Sequence, residues 1–169
     1  ATRDSGFISS DMSFTSTTRL VHVSPISHGT MMTFYPTFCA GGANLTMNVL
    51  DMEKWREVVE TERVTHSFLV PTVLYRLLDL QKANPRDFSS LTTLVYGAAP
   101  MSPTKLGELV ECFGQIFCQG YAATEAAMFI AVLDKADHRS DSEAAIRHLS
   151  SAGRITPGVE VFISDENGN

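Results

Sequence analysis

The chain has 169 residues, 44% of them hydrophobic, and a formal net charge of −6, which suits one packed domain or one and a fraction. Thirteen Lys and Arg against nineteen Asp and Glu, with no basic cluster, exclude a nucleic-acid surface. No apolar run approaches the roughly 18–20 residues of a membrane span, and no secretory signal pattern opens the chain. Cys39, Cys112 and Cys118 are odd in number and lack CxxC spacing, so buried reduced thiols and a cytoplasmic location are the expectation.

Residues 1–18 are rich in Ser, Thr and Asp and read as an arm or linker. An α/β subdomain is expected over 19–150. Leu20 to Val23 is a short β-type run that stops at Ser24-Pro25, with His28-Gly29 in the loop beyond it. Met31, Met32, Phe34, Tyr35 and Phe38 predict a helix bent or restarted at Pro36 and ended by Gly41-Gly42. Ala43 to Met47 is a second strand. Asp51 caps a helix with Met52, Trp55, Val58 and Val59 on one face. Ser67 to Val70 is a strand, Pro71 opens a helix with Val73, Leu74, Leu77 and Leu78 buried, and Asn84-Pro85 ends it.

Residues 93 to 125 carry the clearest pattern. A run through Thr93-Leu94-Val95-Tyr96 stops at the small-residue turn Gly97-Ala98-Ala99-Pro100. Ser102 is an N-cap, Pro103 suits the first helical position, Met101 and Leu106 have staple spacing, and Gly114 sits at C′. A strand over Gln115 to Cys118 then stops at a second turn, Gln119 to Glu125. A βαβ unit is the default topology, with both turns at the carboxyl ends of neighbouring parallel strands, where open α/β sheets bind ligands.

Beyond it, Ala127 to Leu133 is strand-like, 134–142 a charged loop and Ala144 to Leu149 a short helix. Val159 to Ile163 alternates as a strand before the hairpin signal Asn167-Gly168. Residues 151–169 therefore read as the start of a truncated β subdomain. The fold class is α/β: a mostly parallel sheet flanked by helices, with the first strand of a β-barrel subdomain at the C-terminal end.

The two turns together suit a purine nucleotide. Gly97, Ala98 and Ala99 let a flat ring lie against the backbone. Tyr121 offers a stacking face, and the Gln119 amide can read a base edge. Thr124 offers a hydroxyl to a phosphate, and Glu125 a hard oxygen to Mg²⁺. Taken singly, each residue has a plainer reading: Tyr121 as a strand-end aromatic, the small residues as a tight turn, Glu125 as a solvated carboxylate, His28 as a loop histidine. Their combination at one sheet edge carries the functional one. There is no GxxxxGK[ST], GxGxxG, GxSxG or HExxH, which excludes a P-loop within the chain and weighs against a dinucleotide-binding dehydrogenase. A non-catalytic binding or interaction module on the same scaffold is the alternative from another class.

Five stretches resemble the large N-terminal domain of the adenylate-forming superfamily, which includes acyl-CoA synthetases, luciferases and nonribosomal adenylation domains. VHVSPISHG resembles its Pro-x-x-His loop, THSFLVPTVLYRLLD the strand and helix before the adenine loop, and YGAAPMSP the adenine loop. QGYAATE resembles the YGxTE motif, and SAGRITPGVEVFISDENG the start of a β-barrel subdomain. The resemblance implies that Gly97, Ala98 and Ala99 pass along the adenine, and that Gln119, Gly120 and Tyr121 hold its edge and face. It further implies that Thr124 contacts the α-phosphate and Glu125 binds Mg²⁺, the two residues expected to act in catalysis. His28, Tyr96 and Ala122 would line the acid pocket. Ala122 stands where the family usually has glycine, which bears on substrate size.

The implied activity is that of an ATP-dependent acyl-CoA synthetase working on a fatty or aryl acid, with ATP, Mg²⁺ and CoA as cofactors and co-substrates. The phosphate loop with its lysine, the ribose-binding aspartate and the C-terminal lysine domain do not occur in these 169 residues. The expectation is a fragment inactive by itself, whose unpaired sheet edge invites pairing between copies.

Overall fold

The computed structural model describes residues 12–25, 27, 29–126 and 128–166. In chain order the elements are β1 (Arg19–His22), α1 (Gly29–Cys39), β2 (Ala43–Thr46), α2 (Met52–Thr61), β3 (His66–Leu69), α3 (Pro71–Ala83), β4 (Thr93–Gly97), α4 (Pro103–Phe113), β5 (Phe117–Ala123), β6 (Met128–Leu133), α5 (Glu143–His148) and β7 (Arg154–Ile155). The strands form one seven-stranded sheet in the order β2-β1-β3-β4-β5-β6-β7. β1 to β5 are parallel, and β6 and β7 run antiparallel to their neighbours. This is the expected α/β fold: a mostly parallel sheet flanked by helices.

Local chemistry explains the helices. Asp51 accepts a hydrogen bond from the Lys54 amide at 3.0 Å and starts α2. Ser102 does the same for Lys105 at 3.4 Å and starts α4, with Pro103 in the first turn. Gly114 ends α4 at φ 80°, a conformation that costs glycine little. Pro36 sits buried inside α1, which runs on past it.

Strand residues alternate between two cores, as a sheet covered on both faces requires. One face packs Trp55, Val59, Leu74, Leu77, Leu106 and Leu109 of α2, α3 and α4 on Val21, Leu94, Tyr96 and Phe117. The other packs Leu20, Val95, Cys118, Phe129 and Val132 with Met12, Phe14 and, from α1, Met32.

The structure differs from the sequence reading in several places. Residues 119–123 are not a turn but the second half of β5, held there by pairing with β6 across Gln119↔Leu133 to Ala123↔Met128. Val159 to Ile163 forms no strand, and Phe162 and Ile163 are 84% and 97% exposed. Alternation alone does not make a strand where no neighbouring strand supplies hydrogen bonds. The strand in this region is β7, paired with β6 through Ala131↔Ile155 and Val132↔Arg154. Within the expected arm, Met12 and Phe14 are buried, and the Met12 carbonyl lies 3.1 Å from His66 Nε2. Cys39 and Cys112 are exposed, and of the three thiols only Cys118 is buried. Val73, expected in the core, is only partly buried against it. Among the described residues no helix is long and apolar enough to cross a membrane.

Candidate nucleotide-binding cleft

β4 and β5 lie side by side and in register, Leu94↔Phe117 through Gly97↔Gly120. β4 then turns away at Ala98, while β5 continues. Between them opens a cleft of about 280 Å³ lined by Gly97, Ala98, Ala99, Pro100, Gln119, Gly120, Tyr121 and Ala122. The lining combines both expected segments and contains no charged side chain. Tyr121 is 51% exposed, so its ring is available for stacking.

The two glycines have a steric reason. A Cβ on Gly97 would run into the Gly120 carbonyl oxygen, and a Cβ on Gly120 into the Phe129 ring. At Gly97 the obstacle is backbone, and at Gly120 it is a ring that would have to move. The next residue, Ala98, has φ 66°, a left-handed conformation unfavourable for a residue with a Cβ. Strain of this kind gathers at ligand sites. β5 carries an irregularity between Tyr121 and Ala122 in its pairing with β6, a feature that re-aims side chains.

The remaining expected residues fall elsewhere. Thr124 and Glu125 follow β5 in a short 3₁₀ turn and are exposed. They do not line the cleft. Glu125 makes no ion pair among the described residues, so its carboxylate is uncommitted. Mg²⁺ usually takes one or two carboxylates and completes its shell with water and substrate phosphates, and one free carboxylate beside the cleft fits that demand. No group of three His, Cys, Asp or Glu that could hold a metal unaided occurs among the described residues.

Tyr96 is not among the residues that line this cleft. Its alternation within β4 sends the side chain into the helix-covered core, where it is fully buried. His28 lies outside the described residues. The Tyr96 hydroxyl lies 3.0 Å from Gln119 Oε1 and 3.0 Å from His138 Nε2. His138 is fully buried, its Nδ1 lies 2.7 Å from the Asp134 carbonyl, and its ring meets Tyr96 edge-on. Burial lowers the His138 pKa below its ordinary value and pushes the Tyr96 hydroxyl upward. Sequence reasoning missed His138, which sits in what reads as a charged loop.

The fold is that of an α/β protein with an uncharged, aromatic-flanked cleft at the carboxyl edge of its sheet. Its sequence matches the model of the AMP-binding enzyme family over residues 2–169. The chain belongs to that family. It is 37% identical over 150 residues, 89% of the chain and 25% of the relative, to a medium/long-chain-fatty-acid–CoA ligase of Mycobacterium tuberculosis. It is 36% identical over 120 residues, 70% of the chain and 24% of the relative, to a feruloyl-CoA synthase of an Amycolatopsis species. The chain thus spans about a quarter of the length of these relatives. Among solved structures, the amide bond synthetase McbA from Marinactinospora thermotolerans superposes with a TM-score of 0.86 at 31% identity, covering 99% of the chain and 33% of that structure.

Proposed function

We propose that the protein containing this chain activates a carboxylic acid with ATP as an acyl adenylate and transfers the acyl group to the thiol of coenzyme A. The observation that carries this reading is the cleft itself. An uncharged slot bounded by Gly97–Pro100 and Gln119–Ala122, with Tyr121 exposed at its side, suits a flat purine. It lies in a chain whose family is AMP-binding and whose relatives named above are acid–CoA ligases. Those relatives are named for a fatty acid and for an aryl acid, and a fatty or aryl acid is the proposed substrate class. The site is a cytoplasmic one on this reading.

A carboxylate cannot expel oxide, so the acid must first acquire a leaving group. Its oxygen attacks the α-phosphorus of ATP, a P–O bond forms, and pyrophosphate departs. The thiol sulfur then attacks the acyl carbon and AMP leaves. This chain's part is positioning and charge neutralisation. Gly97, Ala98 and Ala99 wall the adenine, Tyr121 stacks on it, and Gln119 and Gly120 hold its edge. Thr124 donates a hydrogen bond to the α-phosphate. Glu125 would hold Mg²⁺, which would supply positive charge at the phosphates. Ala122, beside the Tyr121 backbone, bounds the acyl group, together with His28.

Pyrophosphate release by the full-length protein tests the reading. Glu125→Ala should lower the adenylation rate on the order of a hundredfold or more with the melting temperature unchanged, and an unaltered rate would remove Glu125 from the metal site. The 169-residue chain alone, assayed in parallel with ATP, Mg²⁺, CoA and a panel of acids, should form no acyl-CoA.

A further inference from the structure

Gln119 is the only cleft-lining residue with a side-chain amide. Which end of that amide faces the ligand decides what base edge it accepts. The carbonyl oxygen accepts a hydrogen bond and the NH₂ donates one. The two ends have nearly the same shape, and their surroundings settle which is which.

The surroundings here form a chain of donors and acceptors. The Asp134 carbonyl can only accept, so the His138 Nδ1, 2.7 Å away, carries the proton. His138 is fully buried and makes no ion pair among the described residues. Its burial favours the neutral ring. With the proton on Nδ1, Nε2 is a bare acceptor. The group beside it is the Tyr96 hydroxyl at 3.0 Å, which has one proton to give. If Gln119 presented its oxygen to Tyr96 as well, that single proton would face two acceptors, and one of them would be left without a donor. Two acceptors facing each other across one proton repel, and the arrangement is unfavourable. With the amide turned over, every bond is made: Gln119 Nε2 donates to the Tyr96 oxygen, Tyr96 donates to His138 Nε2, and His138 Nδ1 donates to the Asp134 carbonyl.

We propose that Tyr96 and His138 are positioning residues for nucleotide choice: they hold the Gln119 amide by its nitrogen, so that its carbonyl oxygen faces the cleft. That oxygen suits a purine with an amino group at position 6 and opposes one with a carbonyl there. The inference rests on the nucleotide reading of the cleft and adds to it the device that sets base selectivity.

The experiment compares binding of AMP and IMP, which differ only at the 6-position and its neighbouring ring nitrogen, to the full-length protein by calorimetry. Tyr96→Phe keeps the ring and its packing but frees the amide to turn. The wild type should prefer AMP. In the variant the preference should shrink on the order of tenfold, the scale of a well-placed base-edge contact, through weaker AMP and stronger IMP binding. A residue with a merely structural role would weaken both nucleotides alike. An unchanged ratio in a folded variant would therefore overturn the proposal and leave the nucleotide site standing. If the wild type bound neither nucleotide, the site reading would fall, and the proposal with it. The double variant Tyr96→Phe with His138→Leu removes both partners of the buried bond together, a change that costs little stability. It serves if the single variant does not fold, and the same collapse of the ratio is expected.

Discussion

At the scale of single residues, the cleft depends on the absence of side chains as much as on their presence. Gly97 reads in sequence as a place for a flat ligand to approach. The structure gives it a second task, because a Cβ there would meet the Gly120 carbonyl oxygen, and backbone yields less readily than a side chain. Gly97→Ala should therefore destabilise the full-length protein by about 1–3 kcal/mol, the usual range for overpacking, seen as a lowered denaturation midpoint with or without nucleotide. If the loss appeared only in nucleotide binding, the glycine would serve the ligand and not the strands. Tyr96 shows the limit of reading residues singly. Its motif gives no hint of its surroundings, and the two-residue period of a strand sends it to the opposite side of the sheet from Val95. His138 could not have been found from sequence, since its meaning comes from Tyr96, 42 residues away.

At the scale of elements, legibility follows the range of the interactions that make each one. α4 could be drawn almost to the residue because its signals are local: Ser102 and Pro103 at the start, an apolar stripe between, Gly114 at the end. α2 is similar, opened by Asp51. Asp51→Ala removes the bond to the Lys54 amide and should cost about 1 kcal/mol, measurable by chemical denaturation, and no change would show that another group takes over the cap. β5 was misread for the converse reason. Gln119-Gly120-Tyr121-Ala122-Ala123 has the composition of a turn, and only β6, returning antiparallel, makes it a strand. Val159 to Ile163 has strand alternation and no strand beside it. In both cases the missing information was the partner.

At the scale of the whole molecule, the sheet buries histidines on several strands and loops. His66 is buried between the sheet and residues 12–14, and desolvation lowers its pKa from the ordinary value to about 4. His22 and His138 are shifted downward by the same cause, partly offset for each by a hydrogen bond. Unfolding returns all of them to about 6.5. Between pH 6.5 and 4 the unfolded chain thus binds more protons than the folded one, and stability falls as pH falls. The contribution is whole above about pH 6.5 and gone once His66 titrates in the folded protein. Thermal melts should show the midpoint dropping across this window, before the carboxylates are protonated. His66→Gln should flatten that drop, and an unchanged slope would assign the acid loss to other groups.

β4 stops at Gly97, and β5 runs on to Ala123 with hydrogen bonds to β6 alone. For that length one side of β5 is an open sheet edge, with no strand paired to it among the described residues. The cleft is the berth of the residues that β4 lacks. A flat ring seated there would meet the exposed main chain of β5 as well as the side chains around it. Its width is set by how far one strand outruns the next, so lengthening β4 would close it more surely than any change in the side chains around it.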